Sequence, residues 1–109
     1  MSSTDDPPAE SAAVQAFIAA RQGELLAKAV ATLEDCADDD LAAESHRLAG
    51  TLGTYQLTTA QVAMRNLESA VTATGIGKAD IDHARAATLA AMRGLLADHR
   101  ADTGGDGSP

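Results

Sequence analysis

The chain has 109 residues, 16 acidic against 8 basic side chains and a net charge of −8, which excludes the clustered Lys and Arg that nucleic acid or an anionic membrane requires. Its length fits one domain and not two. Hydrophobic residues reach 45% but aromatics only 2%, so a core must be built from Leu, Val, Ile, Met and Ala.

The opening segment MSSTDDPPAE and the closing segment ADTGGDGSP are polar and rich in Pro, Gly and Asp. Neither can bury enough apolar surface to offset its ordering entropy, so residues 1–10 and 101–109 are expected to be disordered tails. The folded region is expected to span 11–100. Its first helix is predicted from Ser11 to Cys36, where Val14, Phe17, Ile18, Leu25, Leu26, Ala29, Val30 and Leu33 recur at helical spacing. Gly23 weakens that helix by about 1 kcal/mol relative to Ala without breaking it.

The second helix is predicted to start after Asp38-Asp39-Asp40. Carboxylates there favour the positive end of the macrodipole, and Asp39 or Asp40 can cap. Leu41, Ser45, Leu48 and Leu52 form its inward stripe. The third helix opens on a capping box of Thr58 and Gln61, with Leu57 and Val62 spaced as a hydrophobic staple. Ala60, Ala63, Met64, Leu67 and Val71 mark its core face, and Thr74-Gly75-Ile76-Gly77 ends it. The fourth runs from near Asp80 to about Arg100, with Ile81, Ala84, Thr88, Ala91, Met92 and Leu95 inward. No alternating strand pattern and no repeat appears. Short connections between comparable helices predict an all-α fold, an antiparallel up-down four-helix bundle.

Cys36 is the only cysteine, so an internal disulfide is impossible and a reducing compartment fits. No signal peptide is visible, and no apolar run approaches the ~20 residues of a membrane span. The expected location is the cytoplasm. His83 and His99 stand sixteen residues apart and pair with neither Cys36 nor His46 at metal-ligand spacing, so no metal site is expected. Both are expected to be surface histidines. Gly75-Ile76-Gly77-Lys78 resembles a fragment of a phosphate loop but lacks its full glycine spacing and a preceding strand; it reads as a cap and turn.

The informative stretch is Ser45-His46-Arg47-Leu48-Ala49-Gly50-Thr51-Leu52-Gly53-Thr54-Tyr55. At helical offsets the face of His46 continues through Ala42, Ala49, Gly50 and Gly53, all tiny side chains. Two helical glycines cost about 2 kcal/mol together. A glycine inside a helical pattern points to close approach by another backbone or a partner. The same residues also allow a plainer arrangement, in which Gly50 ends the helix, Gly53 sits in a turn and His46 is an ordinary surface residue.

This stretch resembles the signature of histidine-containing phosphotransfer domains: His, any residue, Leu or Ile, Lys, Gly, then small residues and often a further Gly. His46, Leu48 and Gly50 match it. Gly53-Thr54-Tyr55 resembles the continuation in the phosphotransfer domain of chemotaxis histidine kinases, and Asn66-Leu67-Glu68 falls where that family has a Leu-Glu pair. The resemblance spans about 11–100. It implies a phosphorelay carrier of two-component signalling, phosphorylated on His46 and without kinase activity of its own. Glu68, twenty-two residues after His46, would bind the imidazole nitrogen that is not phosphorylated. Implied partners are a response-regulator receiver domain, a histidine kinase, or both, docking on Ala42, Ala49, Gly50 and Gly53. The chain itself would be a monomer and bind no cofactor, Mg²⁺ residing on the receiver.

Two positions depart from the family pattern. Ala49 replaces the usual Lys, and Gln56 replaces a common Gly. Arg65, one turn before Glu68, is a candidate substitute cation for the phosphoryl oxygens, whereas Arg47 points about 100° off the His46 face. Loss of the Lys keeps a second function open, a non-phosphorylated interaction module derived from such a domain. A purely structural helical dimer would need a long continuous apolar seam, which the Ala, Thr and Gly in these stripes do not provide.

Overall fold

The computed structural model of the protein describes residues 9–103. Among them are four α-helices and no strand: α1 (Ala9–Asp35), α2 (Leu41–Thr54), α3 (Thr58–Val71) and α4 (Lys78–Thr103). A single 3-10 turn, Asp38–Asp40, precedes α2. Most of the two expected tails, 1–8 and 104–109, lies outside the described residues. The remainder of those tails is helical. Ala9 and Glu10 belong to α1. Ala101 to Thr103 continue α4.

The α2 stripe is buried as its spacing predicts: Leu41 and Leu52 are 0% exposed, Leu48 is 6%. Ser45 is also 0% exposed, and its hydroxyl donates to the Leu41 carbonyl at 2.7 Å. That bond removes the cost of an unpaired buried hydroxyl. On α3, Ala60, Met64 and Leu67 are buried, with Ala63 and Val71 half-buried beside them. On α4 the expected stripe holds at Met92, which is buried, and at Ile81, Ala84 and Leu95, which pack half-buried on the core, and it widens to take in Leu89 and Leu96. Leu89, Met92 and Leu96 are buried while Ala91 is exposed. The stripe turns toward the leucines at the expense of Ala91, because hiding a leucine removes more apolar area from water than hiding an alanine.

The front of α1 corrects the expected core. Val14, Phe17 and Ile18 are 54%, 66% and 38% exposed. The reason is length. α1 has 27 residues, about 40 Å at 1.5 Å per residue, whereas α2 and α3 have 14 each. The amphipathic pattern is present, but it outruns the helices that would cover it. Burial on α1 begins at Leu25 and Leu26 and continues through Ala29 and Leu33.

Within the core α2 packs chiefly on α3 and α1 on α4, with α3 also against α4. Arg85 of α4 donates to the Leu33 carbonyl of α1 at 2.6 Å, and about four turns later His99 lies 2.7 Å from the Ala19 carbonyl. Arg85 also bonds Asp38 at 2.6 Å, and Lys78 bonds the same carboxylate at 2.8 Å. These two bonds, that from Lys78 first, hold the Asp38 carboxyl below its ordinary value. They pin the α1–α2 corner to the start of α4. Among the described residues, no helix is long and apolar enough to cross a membrane.

The expected caps are absent. Asp40 stands before α2 in helical backbone, φ −96° and ψ −6°, and makes no side-chain cap bond; a capping side chain needs extended backbone. Leu57, not Thr58, is the residue before α3, again with no side-chain cap. Gln61 therefore forms no capping box, and its side chain lies across Gly53 instead, where an added Cβ would fall 2.2 Å from Nε2. Leu57 packs on the core while Val62 is 49% exposed, so no buried staple forms. The α2–α3 turn passes through Gln56 at φ +62°, the left-handed region that disfavours any residue with a Cβ. Gln56→Gly is expected to stabilise the protein by about 1 kcal/mol, read as a raised urea midpoint. A lowered midpoint would show that the turn draws on the Gln56 side chain.

Candidate functional site

His46 lies midway along α2, one residue beyond buried Ser45. Burial of Ser45, Leu48 and Leu52 turns that position outward, and the His46 side chain is 77% exposed. Its Nδ1 stands 3.2 Å from Oε1 and 3.1 Å from Oε2 of Glu68. A carboxylate can only accept, so Nδ1 carries the proton in this contact. Glu68 projects from α3 and is 33% exposed. The closeness of α3 to α2 sets this distance, and Gly53 supports it two turns away by admitting the Gln61 side chain between the helices. The ring is thereby held in one tautomer, with Nε2 across the ring from the acid.

Three more residues share this surface. Ala42, Ala43, His46, Arg47 and Glu68 line one shallow depression. The Arg47 guanidinium donates to Glu44 at 2.7 Å, so a cation borders the imidazole on α2 itself. Its 100° angular offset understates the reach of a long flexible side chain. Arg65 is exposed on α3, outside that depression, and makes no ion pair among the described residues.

The expected docking residues separate. Ala42 is half-buried at the depression and Gly50 is exposed. An added Cβ at Gly50 would meet nothing within 4 Å, so no contact inside the protein requires a glycine there. Gly53 is half-buried and already occupied by Gln61. Ala49 is 3% exposed and belongs to the core, which removes it from any docking surface. It is four residues from Ser45 and three from Leu52, so helical rotation places it on the inward side of His46.

The remaining candidates have structural surroundings. His83 is exposed. His99 is half-buried rather than on the surface, packed over Gly23, where an added Cβ would sit 3.2 Å from its ring. The helical glycine was the sequence signal for that packing. Cys36 is half-buried, 3.6 Å from the Arg85 guanidinium. Lys78 is ion-paired with Asp38 and Asp82, each at 2.8 Å, and Gly75 turns at φ +81°. A recess of about 250 Å³ lined by Leu26, Leu57, Leu95, Asp98 and His99 among others shares no residue with the His46 depression. Among the described residues no group of three or more His, Cys, Asp and Glu is placed to hold a metal ion.

The site thus consists of one exposed imidazole, one carboxylate fixing its tautomer, one neighbouring guanidinium and a glycine that leaves open space beside it. No family model, curated protein or solved structure matches the chain.

Proposed function

We propose that this protein is a phosphoryl carrier of the histidine-containing phosphotransfer type. It accepts a phosphoryl group on His46 Nε2 and relays it to or from the aspartate of a response-regulator receiver domain. The observation that carries this reading is the exposed His46 ring with Nδ1 held by Glu68. An antiparallel up-down four-helix bundle is the arrangement that fits the Arg85–Leu33 and His99–Ala19 contacts, and it sets the site on one outer wall. The working compartment in this reading is the cytoplasm, where receivers and kinase catalytic domains reside.

The chemistry asks little of the carrier. The receiver and its Mg²⁺ stabilise the moving phosphoryl group, and the carrier supplies a positioned nucleophile. The Nε2 lone pair forms the N–P bond as the acyl O–P bond of the phospho-aspartate breaks, and that electron pair leaves on the carboxylate. No proton moves. The ring becomes cationic, and Glu68 accepts from Nδ1–H throughout, which stabilises that charge. Transfer in the other direction reverses each step.

Incubation with a phosphorylated receiver tests the proposal. An acid-labile, base-stable phosphate is expected on this chain as the receiver loses its own. A receiver that binds while no phosphate reaches the chain would favour the second reading, a non-phosphorylated interaction module. Ala49 gives that reading its footing, because a core methyl stands where a phosphotransfer domain usually has a lysine.

Gly50 provides a separate check on docking. A leucine there gains helix propensity by somewhat under 1 kcal/mol, so the fold should persist. It also fills the open space beside the imidazole. Gly50→Leu is expected to slow transfer from a receiver by about tenfold, the equivalent of ~1.4 kcal/mol, and to slow labelling by phosphoramidate far less. Equal loss with both donors would place the effect on the imidazole instead of on docking.

A further inference from the structure

We infer that Arg47, and not Arg65, is the cation that receives the phosphoryl oxygens, and that Glu44 holds it in reserve while His46 is unmodified. The inference rests on the carrier reading and concerns the same site.

Two carboxylates stand close to His46. Glu68 touches the ring and Glu44 stands on the same helix, in a chain of net charge −8. A dianionic phosphoryl group brought there meets repulsion unless a cation is close. Arg47 lines the depression together with His46 and Glu68. Arg65 shares α3 with Glu68, the side toward which Nδ1 is turned. Nε2, the nitrogen that bears the phosphoryl group, lies across the ring from that side, and Arg47 projects from α2 itself. Its guanidinium presents paired donors that fit two phosphate oxygens at once. In the unmodified protein one of these nitrogens is 2.7 Å from Glu44, with the Arg47 side chain 66% exposed. An exposed pair of this kind is worth at most about 1 kcal/mol, so a phosphoryl dianion can draw the guanidinium away.

Phosphoramidate is the probe, because it needs no partner protein. The Nε2–P bond forms as the P–N bond of the zwitterionic donor breaks, and ammonia leaves with the three protons it already carries. Arg47→Ala is expected to raise the KM for phosphoramidate by about three- to tenfold, the range for a partly screened charged hydrogen bond, with little change in kcat or in thermal midpoint. Arg47→Lys should recover part of the loss. Glu44→Gln removes the competing carboxylate and should lower KM. A KM unchanged in Arg47→Ala while His46 still takes phosphate overturns the assignment, as does an equal or larger rise in Arg65→Ala. A KM that stays or rises in Glu44→Gln overturns the reserve role of Glu44. If the unaltered protein takes no phosphate on His46, the carrier reading and this inference fall together, so the two failures are told apart by the first measurement.

Discussion

His46→Gln is expected to accept no phosphate from a receiver or from phosphoramidate, while helicity and thermal midpoint stay near those of the unaltered protein. The loss is complete because an amide has no lone pair able to attack phosphorus. No other histidine offers the same surroundings: His99 is half-buried against α1, and His83, on α4, is not among the residues lining the His46 depression. The fold is spared because the His46 side chain is 77% exposed, and changes at such positions usually stay within about 0.5 kcal/mol. Glu68→Ala in the same assay should keep acceptance but slow it about tenfold, which corresponds to ~1.4 kcal/mol of transition-state stabilisation. Labelled phosphate on His46→Gln, located by peptide mapping to another residue, would move the site. Unchanged kinetics in Glu68→Ala would leave Glu68 a surface contact without a part in the transfer.

Leu52→Ala is expected to lower stability by about 2–5 kcal/mol, the loss of transfer energy plus the cavity it leaves. A domain of this size holds only about 5–15 kcal/mol in total, so a large share of the molecules could unfold at physiological temperature. Leu52 is 0% exposed. Its carbonyl accepts the Tyr55 and Leu57 amides at 3.2 and 3.0 Å, so it anchors the turn that brings α3 back along α2. The fully buried core around it is aliphatic, built of Leu, Met and Ala, with Tyr55 half-buried at its edge. Urea unfolding followed by circular dichroism reads the difference as a shifted midpoint. Phe17→Ala is the informative comparison. Its ring is larger but 66% exposed, so its loss should cost under about 1 kcal/mol. A Leu52→Ala effect no larger than that of Phe17→Ala would contradict the burial on which the α2–α3 pairing depends.

The boundary between local and tertiary information runs through particular residues. Amphipathic spacing was enough to find α2 and α3, because Leu41, Ser45, Leu48, Leu52, Met64 and Leu67 each keep to one helical stripe and that stripe is buried. It was not enough for Val14, Phe17 and Ile18. Helical spacing says which side of a helix is apolar, and only the reach of neighbouring helices says whether that side is covered. Capping residues failed for a related reason. Asp40 takes helical backbone as the chain leaves the turn pinned by Asp38 and makes no cap bond, and Gln61 lies in the groove that Gly53 opens.

From its residues alone this protein is determined to be helical, acidic, poor in aromatics and marked by a histidine among small side chains. These properties follow from periodicity and composition, which act within a few residues along the chain. Tertiary structure alone decided that Glu68 meets His46 from a second helix, that Ala49 faces the core, that Gly50 opens onto space and that Arg47 rather than Arg65 borders the imidazole. Each depends on the separation and rotation of one helix against another. A shift of one residue turns a side chain by about 100°, and the packing of leucines across the interface, not any local preference, selects which rotation survives.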